Sequence, residues 1–150
     1  MAETKKQSEI KKVAEIKKLT VSGKRKEAIA KATIYPGTGI IRLNKKPVET
    51  FPFLRRLILS EPIRIAEEVI KDAAKTFDID VKVTSGGAES QIEAAKLAIA
   101  RAIIAFTKSP ELRRAYLTYD RSLLVADVRR KEQRKPSDSK ARARRQKSYR

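Results

Sequence analysis

The chain has 150 residues, a formal net charge of +18 from 36 Lys and Arg against 18 Asp and Glu, and neither Cys nor His. This length suits one domain with a real hydrophobic core, and the two missing residue types exclude thiol nucleophiles, disulfides, thiolate zinc sites and imidazole bases. No apolar run approaches the roughly 18 residues of a membrane span, and the N-terminus lacks the apolar region of a secretory signal. Composition therefore predicts a soluble intracellular protein.

The positive charge is concentrated at the two ends of the chain. Residues 129–150 hold eleven Lys or Arg and two acids, a net charge of +9, and residues 1–26 hold nine cations and three acids, a net charge of +6. The 102 residues between them hold 16 cations and 13 acids, which leaves only +3. We therefore expect a basic N-terminal extension over 1–19, a globular domain over 20–128 and a basic arm over 129–150.

In chain order, the first predicted element is a short basic amphipathic helix over 5–18, which would be marginal at about fourteen residues without a partner. A period-two pattern predicts a strand over 28–35, a turn follows it, and a second strand is predicted over 40–43, so the pair indicates a β-hairpin. Before the first strand, Gly23 and the cations Lys24, Arg25 and Lys26 are predicted on a loop beside the sheet.

The middle of the chain alternates between helical and strand patterns. Residues 51–60 predict a short helix or helical turn, and Ser60 is expected to cap a separate helix that has Pro62 in its first turn. Strict alternation over 77–83 predicts a strand with one buried face and one wet face.

The last part of the domain is predicted to be helical. Gly86 and Gly87 end the strand, and Ser90 with Glu93 is expected to form a capping box for a long helix that reaches Phe106. A short helix follows from Ser109-Pro110-Glu111 to about Tyr116, and residues 123–125 are the last apolar patch. The order of elements predicts an α+β fold, a two-layer sandwich of a mainly antiparallel sheet with helices on one side.

The body offers little that could carry catalysis. Backbone N–H groups at Gly86-Gly87 could hold an anion before the long helix, but a tight turn is the better interpretation. The carboxylate pairs Glu67-Glu68 and Asp78 with Asp80 could hold Mg²⁺ in principle, although adjacent lysines favour plain surface charge. Without His or Cys, no nucleophile–base pair is legible, so we predict no catalytic, cofactor or metal site.

The arm over 129–150 carries the strongest functional signal. It cannot bury enough apolar surface to offset the entropy of ordering, so we expect it to be disordered alone, with a reach of roughly 70 Å at about 3.3 Å per residue. Such an arm suits a folded polyanion, and RNA is favoured over DNA because no helix-turn-helix, zinc finger or basic zipper is legible. Tyr149 could stack on a base. The alternative is a tail that only increases solubility.

Three stretches resemble the family of the universal ninth protein of the small ribosomal subunit: GKRKEAIAKATIYPGTGIIRLN, SGGAESQIEAAKLAIARAI and DVRRKEQRKPSDSKARARRQKSYR. The ending QKSYR, preceded by YDRSLLVADVRRKE, is similar to the archaeal or eukaryotic branch. The resemblance covers residues 20–150. Two departures stand out: Ser137 replaces the Gly that many members have after the arm's Lys-Pro, and the Gly86-Gly87 turn is one Gly shorter than the common triple.

The resemblance implies an α+β body with a left-handed βαβ crossover, docked on the head of the small subunit in the cytoplasm among neighbouring head proteins. It implies that the arm threads through small-subunit rRNA toward the peptidyl-site tRNA, with no cofactor and no membrane. The implied rRNA contacts are Lys24, Arg25, Lys26, Arg129, Arg130, Arg134, Lys135, Lys140, Arg142, Arg144 and Arg145. The implied tRNA contacts are Lys147, Ser148, Tyr149 and Arg150, the last at the tip.

Two other hypotheses remain beside this one. The chain could be a free-standing nucleic-acid chaperone with a basic tail, which would wash off ribosomes at high salt. It could also be an enzyme, because phosphotransferases with a similar sandwich exist, but that is an analogy of fold alone.

Overall fold

The computed structural model describes residues 18–70, 77–136, 140–143 and Ser148, so the helix predicted over 5–18 lies almost entirely outside the described residues. Two short 3₁₀ turns, Val48–Thr50 and Arg121–Leu123, accompany the regular elements. Those elements are the strands β1 (Leu19–Arg25), β2 (Ala28–Pro36), β3 (Ile41–Leu43), β4 (Lys46–Pro47) and β5 (Phe77–Thr84), and the helices α1 (Phe53–Val69), α2 (Ala88–Thr107) and α3 (Pro110–Tyr119).

The strands form one five-stranded sheet in the order β1-β2-β5-β3-β4. Neighbours are antiparallel except β3 and β5, which run parallel. Helix α2 packs against β1, β2 and β5, and α1 packs on α2. The predicted α+β class with a mainly antiparallel sheet is confirmed.

The predicted hairpin between the strands now called β2 and β3 is wrong, because β5 lies between them. β2 pairs with β5 along its whole length, from Ile29 opposite Thr84 to Pro36 opposite Phe77. Strand β3 is only three residues long and pairs with β5 from the other side. A long alternating strand from later in the chain thus displaces the pairing of sequence neighbours.

The real hairpin joins β1 to β2, and β1 was not predicted as a strand. Gly23, Lys24 and Arg25 lie on this strand rather than on a loop, and only Lys26 lies in the turn, with φ 51°. The short alternation of Leu19 and Val21 with hydroxyl residues was a weak signal because Gly23 interrupts it.

The core lies between the sheet and α2. On β2, Ala28, Ala30, Ala32 and Ile34 are buried while the residues between them face the other side. The facing surface of α2 is also rich in buried Ala. A Cβ at Gly23 would lie 2.5 Å from the carbonyl oxygen of Ala94. Small residues on both layers therefore bring the backbone of β1 directly against α2.

Helix α1 is continuous where two helical pieces were predicted. Ser60 does not cap a helix; its hydroxyl donates to the Leu57 carbonyl at 2.9 Å, and Pro62 lies inside the helix. An interior proline removes one ladder hydrogen bond and costs about 3 kcal/mol. Leu59, Pro62 and Ala66 are buried in one stripe, and the buried Tyr116 hydroxyl donates to the Pro62 carbonyl at 2.6 Å. This packing offsets the cost of Pro62, where the sequence predicted the start of a separate helix.

The predicted capping box of α2 is wrong, whereas the predicted start of α3 is confirmed. Helix α2 begins at Ala88 after Gly87, so Ser90 lies inside its first turn and is not the cap. Gly86 has φ +73° and its Cβ position would lie 2.8 Å from Ala28, which supports the tight-turn interpretation. Helix α3 begins as predicted, with Ser109 accepting a hydrogen bond from Leu112 N at 3.3 Å, and it ends at Tyr119 rather than near Tyr116.

The loop after β2 is held by the carboxylate of Asp78, which accepts hydrogen bonds from the backbone N–H of Thr38 at 2.7 Å and of Ile40 at 2.9 Å. The Ile40 hydrogen bond is the main reason that the pKa of Asp78 lies below its ordinary value of 3.8. A lowered pKa means that the charged form stabilises the fold above pH 3.8, and that this contribution is lost as pH falls through the folded-state pKa.

We expect Asp78→Ala to lower the free energy of unfolding at pH 7 by about 1 kcal/mol, because hydrogen bonds to a charged acceptor are removed. Asp78→Asn keeps an acceptor but loses the charge. The difference in free energy of unfolding between this variant and wild type should therefore shrink as acid removes the wild-type charge. Urea unfolding of the three proteins from pH 7 downward measures this. A deficit that stays constant with pH would show that the charge of Asp78 is not involved.

Candidate nucleic-acid interface

The basic arm begins beside a carboxylate of the body, that of Asp127. After the buried Leu123, the chain becomes irregular, and Asp127 accepts hydrogen bonds from the Arg129 backbone N–H at 2.8 Å and from Arg129 Nη2 at 2.7 Å. Arg129 Nε also donates to Asp127 at 2.9 Å. Paired N–H donors on one carboxylate give a strong and directional contact. The first cation of the arm is therefore held by the body.

Arg25 reaches the same carboxylate from the sheet. Its guanidinium forms an ion pair with Asp127 and a second one with Glu93 Oε2 at 2.5 Å. The side chains of Arg25 and Asp127 are each only 20% exposed, so water screens this contact less than an ordinary surface pair. Arg25 thus joins β1, α2 and the start of the arm, and we call Arg25, Glu93, Asp127 and Arg129 the arm-root cluster.

A second arginine, which sequence reasoning missed, strengthens this attachment. Arg101 Nε donates to the Leu124 carbonyl at 2.8 Å, and its Nη1 donates to the Ser22 carbonyl at 3.0 Å. The available signal was an arginine inside the Ala-rich, otherwise apolar run of α2. A guanidinium has several N–H donors, so one arginine can donate to two separate backbone carbonyls.

An open groove adjoins the arm-root cluster. Lys24, Lys96 and Arg121 lie along it together with Asp120 and the cluster itself. Lys96 forms ion pairs with Glu61 at 2.6 Å and with Asp120 at 3.9 Å, so its charge is already balanced. Hydrogen bonds from Ser122 keep the pKa of Asp120 below its usual value. The cations that remain for an external anion are Lys24 and Arg121, for which the described residues supply no ion pair.

The predicted rRNA and tRNA contacts therefore fall into three groups. Arg25, Arg129 and Arg142 have carboxylate partners, the last being Glu132 at 2.9 Å. Exposed residues for which no ion pair is seen within the described ranges are Lys26, Arg130, Arg134, Lys135 and Lys140, and Lys24 is half-buried. Arg144, Arg145, Lys147, Tyr149 and Arg150 lie outside the described residues, as does Ser137, while Ser148 is exposed.

Within the described ranges, Lys24 and Arg25 of β1 meet the arm at Arg129: Arg25 shares the carboxylate of Asp127 with it, and Lys24 lies along the same groove. The exposed arm cations from Arg130 to Lys135 follow one another along an irregular segment that carries a single acid, Glu132. Such a row of guanidinium and ammonium groups can neutralise successive phosphates and release counterions. The chemistry available here is the binding of a polyanion.

Of the carboxylates considered for Mg²⁺, Asp78 and Asp80 have other partners. Asp78 holds the loop, and Asp80 accepts from the Tyr35 hydroxyl at 2.9 Å and pairs with Arg42 at 3.5 Å. The hydrogen bond to Asp80 raises the pKa of Tyr35. Within the described ranges no three His, Cys, Asp or Glu residues gather in a way that could hold a metal ion, and none of the described helices is both long and apolar enough to cross a membrane.

Comparison with known proteins adds an independent finding. A model of the family described as "Ribosomal protein S9/S16" matches residues 23–150. The chain is 50% identical over 131 residues to "Small ribosomal subunit protein uS9" of Methanococcus vannielii, covering 85% of this chain and 95% of the relative. It is 47% identical to the protein of that name from Thermoplasma volcanium, covering 86% of this chain and 96% of the relative.

Proposed function

The chain belongs to the ribosomal protein S9/S16 family, and we propose from this that it binds rRNA in the head of the small subunit and reaches the peptidyl-site tRNA with its arm. As a member of the family it is a structural constituent of the small ribosomal subunit and not an enzyme. Its similarity to archaeal relatives agrees with the archaeal character of the ending. The observation that carries the proposal is the exposed cationic segment that leaves the body at the arm-root cluster.

In this proposal the chain has three parts: the extension 1–19, the body 20–128 and the arm 129–150. The parallel strands β3 and β5 with α1 between them along the chain support a βαβ crossover, which we propose is left-handed as in ribosomal proteins of this kind. Helix α1 packs on α2, which itself packs against β1, β2 and β5. The body would then act as a rigid base that docks on rRNA before the arm becomes ordered.

The proposed mechanism is electrostatic and architectural. Exposed cations of the arm neutralise phosphates, and the entropy lost in ordering the arm is offset by release of counterions and by charge-assisted hydrogen bonds. Lys24 and Lys26 extend this contact to the hairpin between β1 and β2. Lys135 to Arg145 would lie between rRNA strands, and Lys147 to Arg150 would meet tRNA.

Neighbouring head proteins are further proposed partners in the cytoplasmic ribosome. Helix α1 begins with Phe53 and Leu54, which are 66% and 71% exposed, and Leu57 on the same helix is 42% exposed. Adjacent exposed apolar side chains of this size are typical of protein contacts. They support a protein neighbour at the start of α1.

Removal of Lys147–Arg150 tests the tRNA contact. We expect subunits that carry the truncated protein to retain peptidyl-site tRNA several-fold less well, because binding weakens with every phosphate that is no longer neutralised. Filter binding of tRNA to purified subunits measures this, with Arg150→Lys as a control that keeps the terminal charge. Sedimentation at high salt verifies that the truncated protein stays with the subunit. Unchanged tRNA retention and unchanged initiation would refute the tRNA contact.

A further inference from the structure

The sheet has an outer face, opposite α2, that is defined by alternating burial. On β2, Ala30 and Ala32 are buried against the helix layer while Lys31 between them is exposed. The register then places Ser22 of β1 and Lys82 of β5 beside Lys31 on the same face. Lys24, Ile29 and Thr84 form the next row in the same way. Ile29 is 38% exposed, so this end of the face is open to solvent.

Two lysines oppose each other directly on this face. Lys31 and Lys82 are register partners in the antiparallel pair of β2 and β5, and both are exposed. Opposed residues have Cβ atoms about 5 Å apart, and like charges in that position destabilise the sheet. Neither lysine has an ion pair with a carboxylate in the part of the chain that the structure describes. The arrangement costs stability in the free protein, and an external anion would remove that cost.

The two acids of β5 on this face, Asp78 and Asp80, lie toward its other end, while Glu27 lies exposed in the turn between β1 and β2. Asp80 is bound by Tyr35 and Arg42, and Asp78 is bound by the backbone of the loop after β2. The rows of Lys31 and Lys24 instead include hydroxyl residues, Ser22 and Thr84, which are both exposed. Lysine ammonium groups with nearby hydroxyl donors match the phosphate and ribose oxygens of a nucleic-acid backbone.

This patch continues into the groove at the arm root. Lys24 lies on the outer face of β1, and it also lines the groove together with Arg129, the first residue of the arm. A polyanion that follows the arm out of the groove therefore meets Lys24 and then the row of Lys31 and Lys82. The patch and the arm form one cationic path across the edge of the sheet.

We propose that the outer sheet face is a second RNA-binding surface, on which Lys24, Lys31 and Lys82 contact the sugar–phosphate backbone of an rRNA segment next to the one held by the arm. This inference rests on the proposed rRNA-binding function and adds a contact surface to it. Recognition is of backbone rather than of base sequence, because this face of the described strands offers ammonium and hydroxyl groups and a single aromatic, Tyr35, whose hydroxyl is bound to Asp80.

The test compares Lys31→Gln/Lys82→Gln with wild type in binding to a transcript of the head region of archaeal small-subunit rRNA. We expect the slope of log K against log salt to become less steep by about 2, one unit for each phosphate that the variant no longer neutralises. A matched control is Arg113→Gln/Arg114→Gln on α3, which removes the same charge from exposed positions and should leave the slope nearly unchanged. Because the lysine variant relieves repulsion, its urea midpoint should equal or exceed that of wild type.

A second readout identifies the neighbour directly. A photoreactive p-benzoylphenylalanine in place of Ser22 should crosslink to rRNA in assembled subunits. A crosslink to another protein, or a salt slope that falls equally in the two double variants, would overturn the proposal while leaving rRNA binding by the arm intact. If wild type itself does not bind the transcript, the proposed function fails instead, so the two failures are distinguishable.

Discussion

Deletion of residues 129–150 should lower the affinity for small-subunit rRNA by several orders of magnitude at physiological salt. The arm carries eleven of the 36 Lys and Arg and only two acids. Six to ten phosphate contacts make affinity fall by about 10³ to 10⁵ between 50 and 200 mM salt, and each contact adds about 0.7–0.9 to the slope. The deletion should therefore both weaken binding and flatten its salt dependence.

The measurement is a salt titration of binding with full-length and truncated protein. A control with the arm's residues in scrambled order keeps length and charge, and it separates plain charge from the placement of cations. The truncated body should remain folded, because Leu123 is the last buried residue within the described part of the chain. If the truncated protein kept the salt slope of the full-length one, the arm would not be the main phosphate-binding element.

Replacement of Gly23 by alanine should lower the free energy of unfolding by about 1–3 kcal/mol, the range for overpacking a core. The new Cβ would lie 2.5 Å from the Ala94 carbonyl oxygen and 2.8 Å from the Ala98 nitrogen, both of which belong to the backbone of α2. Backbone atoms cannot rotate away as a flexible side chain can, so the helix has to move off the sheet. Since small domains are stable by only about 5–15 kcal/mol, this is a large fraction.

Gly87→Ala provides the matched control for this substitution. A Cβ at Gly87 would meet nothing within 4 Å, and the residue has an ordinary φ of −92°. Its urea unfolding midpoint should stay near that of wild type while that of Gly23→Ala falls. Equal midpoints for the two variants would mean that the packing of β1 on α2 is loose enough to accept a methyl group.

The parts of the fold that the sequence predicted well are those with a strong local period. The alternation over 77–83 identified β5, and the spacing of Ile92, Ile99 and Ile103 identified α2, because each pattern repeats several times. The two prolines that predicted helix starts had different outcomes. Pro110 began a helix as expected, whereas Pro62 lies inside α1, where burial against Tyr116 outweighs the local signal.

What the sequence could not predict depends on partners far along the chain. Neither β2 nor β3 carries a local signal that β5 inserts between them. The pattern of these two sequence neighbours is instead typical of a hairpin. In the candidate site, the cationic character of Lys24 to Lys26 was visible, but the pairing of Arg25 with Asp127 joins residues about 100 positions apart. No local spacing rule reports such a contact. The cationic composition of the arm was predicted from residue types alone.

The arm-root cluster also has a kinetic consequence. Because Asp127 pairs with both Arg25 and Arg129, the start of the arm is attached to β1 of the body. If the body docks on rRNA first, as we propose, binding of the arm becomes an intramolecular step, with an effective concentration set by the length of free chain beyond Arg129. A stiff attachment shortens that free length. The same cations on a loosely attached tail would search a larger volume and find their rRNA crevice more slowly.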